Sequence, residues 1–252
     1  MLLPMQTPPV FLPPGPSSVA DSSAVFVASA LDDWLLPQSA QHSGLLFRRP
    51  FCGAWDDLYP QIDKGMRRFE RSELKSGYGM ATEVKNGSPE DLSNRLHASI
   101  EALLADAGLP EALSKQIHSD AVSLGKVVGS MCPSAPVLEV KIEIFGKNTC
   151  SRWHQDKYVA RAIVSYTGEA GTEYTDNSNV DFWELKNYGN NQHITRDTDE
   201  ICAADVGDML FIKGTKYPTG ANGLVHKAPK KQYRKDGRIV NRLVLKIDVP
   251  AL

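Results

Sequence analysis

The chain has 252 residues, of which 42% are hydrophobic, and its 28 basic and 30 acidic residues give a formal net charge of −2. This near balance provides no basic field for nucleic acid or an anionic membrane, and no apolar run approaches the roughly 20 residues needed to cross a bilayer. The cysteines are scattered without a C-x-x-C pair, which disfavours a zinc ribbon or a disulfide framework and favours reduced thiols.

The first 23 residues are rich in proline and serine. Proline fixes φ and removes a backbone donor, so residues 1–23 are predicted to form an extended arm. The first basic residue, Arg48, follows several acidic ones, which is not the pattern of a secretory or organelle signal. We therefore expect a cytoplasmic protein with a single domain at 24–252, in which 24–135 is mainly helical.

Three segments ahead of residue 136 have helical patterns. The first covers residues 55–74. The second covers 88–108, where Ser88 suits an N-cap and Gly108 suits a C-terminal stop. The third covers 110–131, with apolar residues recurring every three or four positions.

After residue 136 the pattern changes to short runs in which apolar and polar residues alternate, separated by Gly, Asn, Asp and Pro. Alternation of this kind predicts strands with one buried face. Helices followed by strands favour an α+β protein, with the helices packed on a closed or double antiparallel sheet formed by 136–252.

A candidate metal site begins at "SRWHQDKYVARAIV", where His154 and Asp156 stand two residues apart. Side chains two apart on a strand point to the same face, so the pair can aim at one ion. H-x-D by itself is common by chance, and His226 in "NGLVHKAP" supplies a third candidate ligand. Two histidines and one carboxylate leave coordination positions open, as in non-haem Fe(II) oxygenases. We predict that these three residues bind metal and form the catalytic centre.

The order of these motifs resembles the 2-oxoglutarate and Fe(II)-dependent dioxygenase superfamily. The resemblance implies a double-stranded β-helix (jelly-roll, cupin-like) core with N-terminal helices packed on it, and Fe(II) and 2-oxoglutarate as cofactors. In that superfamily a basic residue beyond the second histidine holds the far carboxylate of 2-oxoglutarate, and Arg242 occupies this position. The interval from His226 is longer than usual, so Arg161 and Lys213 stay open as rival anchors. Tyr166 is a further candidate, as a hydrogen-bond donor to the co-substrate.

A closer resemblance covers roughly residues 45–249. "CSRWHQDKYVARAIVSYTGEAGTEY", "GDMLFIKGTKYPTGANGLVHKAP" and "NRLVLKID" resemble core motifs of the domain-of-unknown-function family 1826, and "LLFRRPF" resembles its N-terminal Arg-Pro element. The resemblance implies no established reaction, although some bacterial members are associated with zinc homeostasis. Three functions therefore stay open: an oxygenase acting on an unidentified small molecule, a non-catalytic Zn(II)-binding protein using the same His/Asp/His site, and an interaction module in which the Pro-rich arm or the basic hairpin binds a partner.

Overall fold

The computed structural model describes residues 24–50, 78–105, 107–146, 151–219 and 223–251. The predicted arm at 1–23 and the predicted helix at 55–74 lie outside these residues. In chain order the strands are β1 (Val25–Ala28), β2 (Gly44–Phe47), β3 (Tyr78–Lys85), β4 (Val137–Phe145), β5 (Ala160–Ser165), β6 (Glu173–Thr175), β7 (Ile201–Ala203), β8 (Met209–Lys213), β9 (Val225–Lys227) and β10 (Arg242–Val249).

The helices are α1 (Pro89–Ala105), α2 (Glu111–Met131) and the short α3 (Phe182–Lys186). Within the described ranges, 3₁₀ turns occur at Leu31–Leu35, Pro37–Gln41 and Asn177–Asn179. The first two helices agree with the predicted segments at 88–108 and 110–131. The part of the chain before residue 136 also contributes β1, β2 and β3. The protein therefore has the predicted α+β character and is rich in sheet.

The strands form two sheets. The large sheet has seven strands in the order β1-β2-β8-β5-β10-β4-β3, and the small sheet has three in the order β7-β6-β9. Strands β1 and β2 pair in parallel, while the other pairings described for both sheets are antiparallel. An isolated bridge between His154 and His226 adds one more residue to the β9 edge of the small sheet.

The two faces of the large sheet differ because side chains alternate along each strand. One face joins α1 and α2 in a single apolar core, and α2 contacts both β4 and β10. The sheet residues of this core include Val140, Ile142, Ala162, Leu243 and Leu245. Where α1 and α2 meet, a Cβ on Gly125 would lie 2.7 Å from the methyl groups of Leu96, so a side chain at this position would displace Leu96. The opposite sheet face turns toward the small sheet and carries the site described below.

No helix among the described residues is long and apolar enough to cross a membrane.

Candidate metal centre

His154, Asp156 and His226 converge in space. One ligand atom from each lies within 4.8 Å of the others. His154 Nε2 is 3.8 Å from Asp156 Oδ1, and His226 Nε2 is 3.7 Å from Asp156 Oδ2. The backbone bridge between the two histidines sets this geometry, because it holds residue 154 directly beside β9. The fold thus brings together the three residues that the sequence selected.

Backbone carbonyls fix the orientation of both imidazole rings. His154 Nδ1 lies 2.9 Å from the carbonyl oxygen of Arg152, and His226 Nδ1 lies 3.0 Å from that of Leu224. A carbonyl oxygen can only accept, so each Nδ1 carries the proton and donates. When such a ring is neutral, the lone pair is on Nε2, which faces Asp156 in both histidines. This tautomer is the one that binds a metal through Nε2.

The charge state of His226 also suits metal binding. Its side chain is buried, and burial lowers the pKa of this imidazole to about 4, although the Asp156 carboxylate acts in the opposite direction. The ring is consequently neutral near pH 7. His154 differs in that 44% of its side chain is exposed, so the site opens to solvent on the His154 side.

Asp156 is buried beside a cation. Arg161 Nη1 lies 2.9 Å from its Oδ2. This contact is an ion pair in which the N–H bonds are not aligned with the oxygen, and Oδ2 has no hydrogen-bond donor among the described residues. Buried carboxylate oxygens need a donor or a cation nearby, and the Arg161 guanidinium supplies one cation to Oδ2. The Asp156 carboxylate and the two imidazole nitrogens together form a nitrogen and oxygen donor set that fits a divalent metal.

A cavity of about 210 Å³ lies between the two sheets, next to the histidines. Its walls combine apolar and cationic side chains. They are Phe145, His154, Arg161, Ile163, Thr172, Ile212, His226, Ala228, Arg242, Val244 and Lys246.

Arg242 differs from the other two cations of this cavity in its surroundings. Within the described part of the chain, no carboxylate lies within ion-pair distance of its guanidinium group, which sits 5.9 Å from the centre of the Phe145 ring. Burial lowers the pKa of Arg242 to about 10, and the Glu173 carboxylate offsets this only in part. The side chain remains charged at neutral pH, so the cavity contains a buried positive charge that can receive an anion.

The other two cations of the cavity already have acidic partners. Arg161 donates from Nε to Asp248 Oδ1 at 2.6 Å and from Nη2 to Oδ2 at 3.1 Å. Lys246 Nζ lies 2.7 Å from Glu143 Oε2. Of the candidate anchors, Arg242 is therefore the one whose charge is available.

Tyr166 and Lys213 lie on the helix-facing side of the large sheet, away from the cavity. Tyr166 donates to Asp120 Oδ2 at 2.7 Å. Lys213 donates to the carbonyl oxygens of Ser39 and Ala40 at 3.0 and 2.8 Å. The alternation of β8 explains the second placement, because Ile212 faces the cavity and its neighbour must face the helices.

Three cavity residues were not predicted from the sequence: Lys246, Thr172 and Phe145. A signal for Lys246 was present: residues 242, 244 and 246 share one face of β10, so any strand that carries Arg242 inward also carries Lys246 inward. Thr172 gave no comparable signal, because it precedes the short strand β6, whereas Phe145 shares one face of β4 with Glu143 by the same alternation.

The chain belongs to the family described as "Protein of unknown function (DUF1826)", whose family model matches residues 66–248. The fold is similar to solved structures of dioxygenases at very low sequence identity. A 2-oxoglutarate complex of the dioxygenase for auxin oxidation 1 from Arabidopsis thaliana aligns over 90% of this chain and 92% of its own, with 8% identity and a TM-score of 0.46.

The rice dioxygenase for auxin oxidation aligns over 84% of this chain and 74% of its own, with 12% identity and a TM-score of 0.41. A prolyl-4-hydroxylase from Pseudomonas putida aligns over 88% of this chain and 96% of its own, with 12% identity and a TM-score of 0.36. A search of curated proteins by sequence found no match.

Proposed function

We propose that this protein is an Fe(II) and 2-oxoglutarate-dependent oxygenase that acts on a small molecule. The observation that carries the proposal is the position of Arg242 in the same cavity as the two histidines. A dianionic 2-oxo acid needs a metal for one end and a cation for the other, and this cavity offers candidates for both.

The strand order supports a double-stranded β-helix core. Strands β4, β5, β8 and β10 belong to the large sheet, and the strands between them in sequence belong to the small sheet. The His154 bridge, which falls between β4 and β5, also joins the small sheet. The chain thus winds repeatedly between two facing sheets, as a jelly roll does.

The ligand set favours a catalytic metal over a structural one. Among the described residues the candidate ligands are three, His154, Asp156 and His226, whereas structural zinc sites are closed by four. Positions left open on an ion can accept a co-substrate and a reactant. Zn(II) binds such nitrogen and oxygen donors more tightly than Fe(II) does, so the native metal must be measured. Arg242 has no acidic partner among the described residues, and this favours the co-substrate-binding alternative, because metal storage does not require a buried cation in the cavity.

The residues of the chain have distinct parts in this proposal. When bound, Fe(II) and 2-oxoglutarate supply O2 activation through oxidative decarboxylation of the 2-oxo acid. His154, Asp156 and His226 hold the ion, and the two carbonyl contacts keep the imidazole rings in the metal-binding tautomer. Arg242 binds the far carboxylate with its planar fork.

The apolar wall restricts water. Phe145, Ile163, Ile212 and Val244 line the cavity, and a low-dielectric wall strengthens the interaction of Arg242 with a carboxylate. The cavity of about 210 Å³ is small, so the second substrate approaches from the exposed side of His154.

The test is a pair of titrations followed by an activity measurement. Metal content is measured after anaerobic purification, and 2-oxoglutarate is titrated into the Mn(II)-loaded protein by calorimetry. Succinate production is then measured with Fe(II), ascorbate and O2. We expect saturable 2-oxoglutarate binding that requires metal and is lost in His154→Ala.

His118→Ala is the matched control, because His118 lies on α2 outside the cavity and its loss should leave binding unchanged. A tightly held zinc ion, together with no metal-dependent binding of 2-oxoglutarate, would contradict the proposal and support the zinc-binding alternative.

A further inference from the structure

Charged side chains form a continuous network from the candidate metal site across the inner face of the large sheet. Asp156 contacts Arg161, and Arg161 contacts Asp248 through two hydrogen bonds. Asp248 Oδ2 also accepts from Lys141 Nζ at 2.9 Å, and Lys141 lies 2.6 Å from Glu139 Oε2.

The centre of this network is held firmly. Asp248 is fully buried and pairs with Arg161 across the β5–β10 register. The ring of Tyr158 lies 4.9 Å from the guanidinium carbon of Arg161 and covers its face. A planar guanidinium fixed by two hydrogen bonds on one edge has its third nitrogen fixed as well. Nη1 therefore stands at a determined point beside Asp156.

The position of Nη1 distinguishes the two oxygens of Asp156. Each oxygen lies near one histidine, Oδ1 at 3.8 Å from His154 Nε2 and Oδ2 at 3.7 Å from His226 Nε2, but the 2.9 Å contact with Arg161 Nη1 is made by Oδ2. If both oxygens bound the ion, they would occupy two coordination positions and leave fewer for other ligands. A cation that retains Oδ2 by charge prevents this second contact.

We propose that Arg161, held by Asp248, is a positioning residue that keeps Asp156 a one-oxygen metal ligand. The inference rests on the proposed metal site and gives Arg161 a different role from that of a co-substrate anchor. Asp156 and Asp248 already balance the charge of Arg161, so Arg161 is not available to bind the carboxylate of a co-substrate. The division of labour is that Arg242 binds the anion and Arg161 sets the geometry of the metal ligand.

The experiment titrates Co(II) into the apo-protein and follows both affinity and ligand-field absorption, since the absorption reports coordination number and geometry. The variants are Arg161→Met, Arg161→Lys and Asp248→Asn. Lys141→Met is the matched control, because Lys141 contacts Asp248 with a similarly small exposed fraction but does not touch Asp156. Thermal unfolding is recorded for all of them.

We expect Arg161→Met to weaken Co(II) binding by about 10- to 100-fold, the usual cost of losing an outer-shell partner, and to change the absorption spectrum. Asp248→Asn should change the spectrum in the same direction. Arg161→Lys should also differ from the wild-type spectrum, because a single ammonium group cannot bridge two carboxylates. Lys141→Met should bind Co(II) like the wild type with an unchanged spectrum.

Loss of Arg161 leaves two carboxylates with less compensation and can prevent folding. The double variant Arg161→Met/Asp248→Asn removes one charge of each sign and keeps the test decisive in that case. Unchanged Co(II) affinity and spectrum in a folded Arg161 variant would overturn the inference. If the wild type itself binds no metal, the proposed metal site fails instead, and the two failures are thus distinguishable.

Discussion

The two faces of the large sheet carry opposite chemistry on the same strands. On β10, Leu243 and Leu245 pack toward the helices, while Arg242 and Lys246 face the cavity. A period of two along the strand separates residues that stabilise the fold from residues that can bind ligands. Mutations on the helix-facing side should therefore change stability and leave ligand binding intact. Mutations on the cavity side should change ligand binding and leave stability intact.

The helix-facing side also contains polar groups. Mutating them tests most directly whether the two faces of the large sheet act independently. Asp120 on α2 accepts bonds from both terminal nitrogens of Arg49 at 2.6 Å, from Gln116 at 2.8 Å and from Tyr166. This cluster ties the segment after β2 to α2 and to the end of β5. Its contacts are structural and do not reach the cavity.

The largest effect on stability is expected for Asp120→Ala. The substitution leaves the Arg49 guanidinium and the Tyr166 hydroxyl without their acceptor, and breaking a buried ion pair costs about 3–5 kcal/mol. Urea unfolding measures this loss. The 2-oxoglutarate affinity of the folded protein should stay at the wild-type value, and a parallel loss of affinity would show that the two faces are coupled.

Lys213 provides a pH test of the same face. Burial lowers its pKa to about 8 from an ordinary 10.5. The unfolded chain therefore holds this proton over a range in which the folded protein has released it, so the contribution of Lys213 to stability rises with pH between these values and is lost as pH falls through 8.

Lys213→Met should remove this pH dependence. Compared with the variant, the wild type should gain on the order of 3 kcal/mol in unfolding free energy between about pH 7 and pH 11. Urea unfolding of both proteins across this range measures the difference, in which the titrations common to both cancel. Parallel curves would mean that Lys213 is not desolvated in the folded protein.

Arg242→Met tests the cavity face. Losing a charge-assisted contact to a carboxylate costs about 2–3 kcal/mol, which corresponds to a fall of roughly a hundredfold in 2-oxoglutarate affinity. The unfolding free energy should be unchanged or higher, because the variant removes a buried charge without an acidic partner among the described residues. Calorimetry and urea unfolding of the same preparation check both outcomes. Retained 2-oxoglutarate affinity would show that a residue other than Arg242 binds the far carboxylate.

The smallest effect is expected for Tyr166→Phe. It removes one hydrogen bond to a carboxylate and should lower the unfolding free energy by about 1.5 kcal/mol. The affinity for 2-oxoglutarate should be the same as in the wild type, since the ring faces the helices. A lower 2-oxoglutarate affinity with unchanged stability would instead indicate that Tyr166 contacts the co-substrate.

Much of the fold could be predicted from the sequence because its signals are local. The helix at 88–108 was marked by Ser88 and Gly108, and strands such as β4 were marked by alternation. The small sheet was harder to predict. Strands β6, β7 and β9 have three residues each, which is too short for a period of two to stand out.

The sequence by itself determined the three candidate ligands. The spacing of His154 and Asp156 restricts these two to one face of an extended chain, and His226 is the candidate third ligand in the later segment "NGLVHKAP". The sequence left three candidate anchors open, since charge and order cannot distinguish a free cation from a paired one. Only the tertiary structure made that distinction. It paired Arg161 with Asp248 across two strands, turned Lys213 toward backbone carbonyls on the other face, and left Arg242 in the cavity. The physical reason is that the availability of a charge depends on which partners the fold brings within hydrogen-bonding distance, and these partners are distant in sequence.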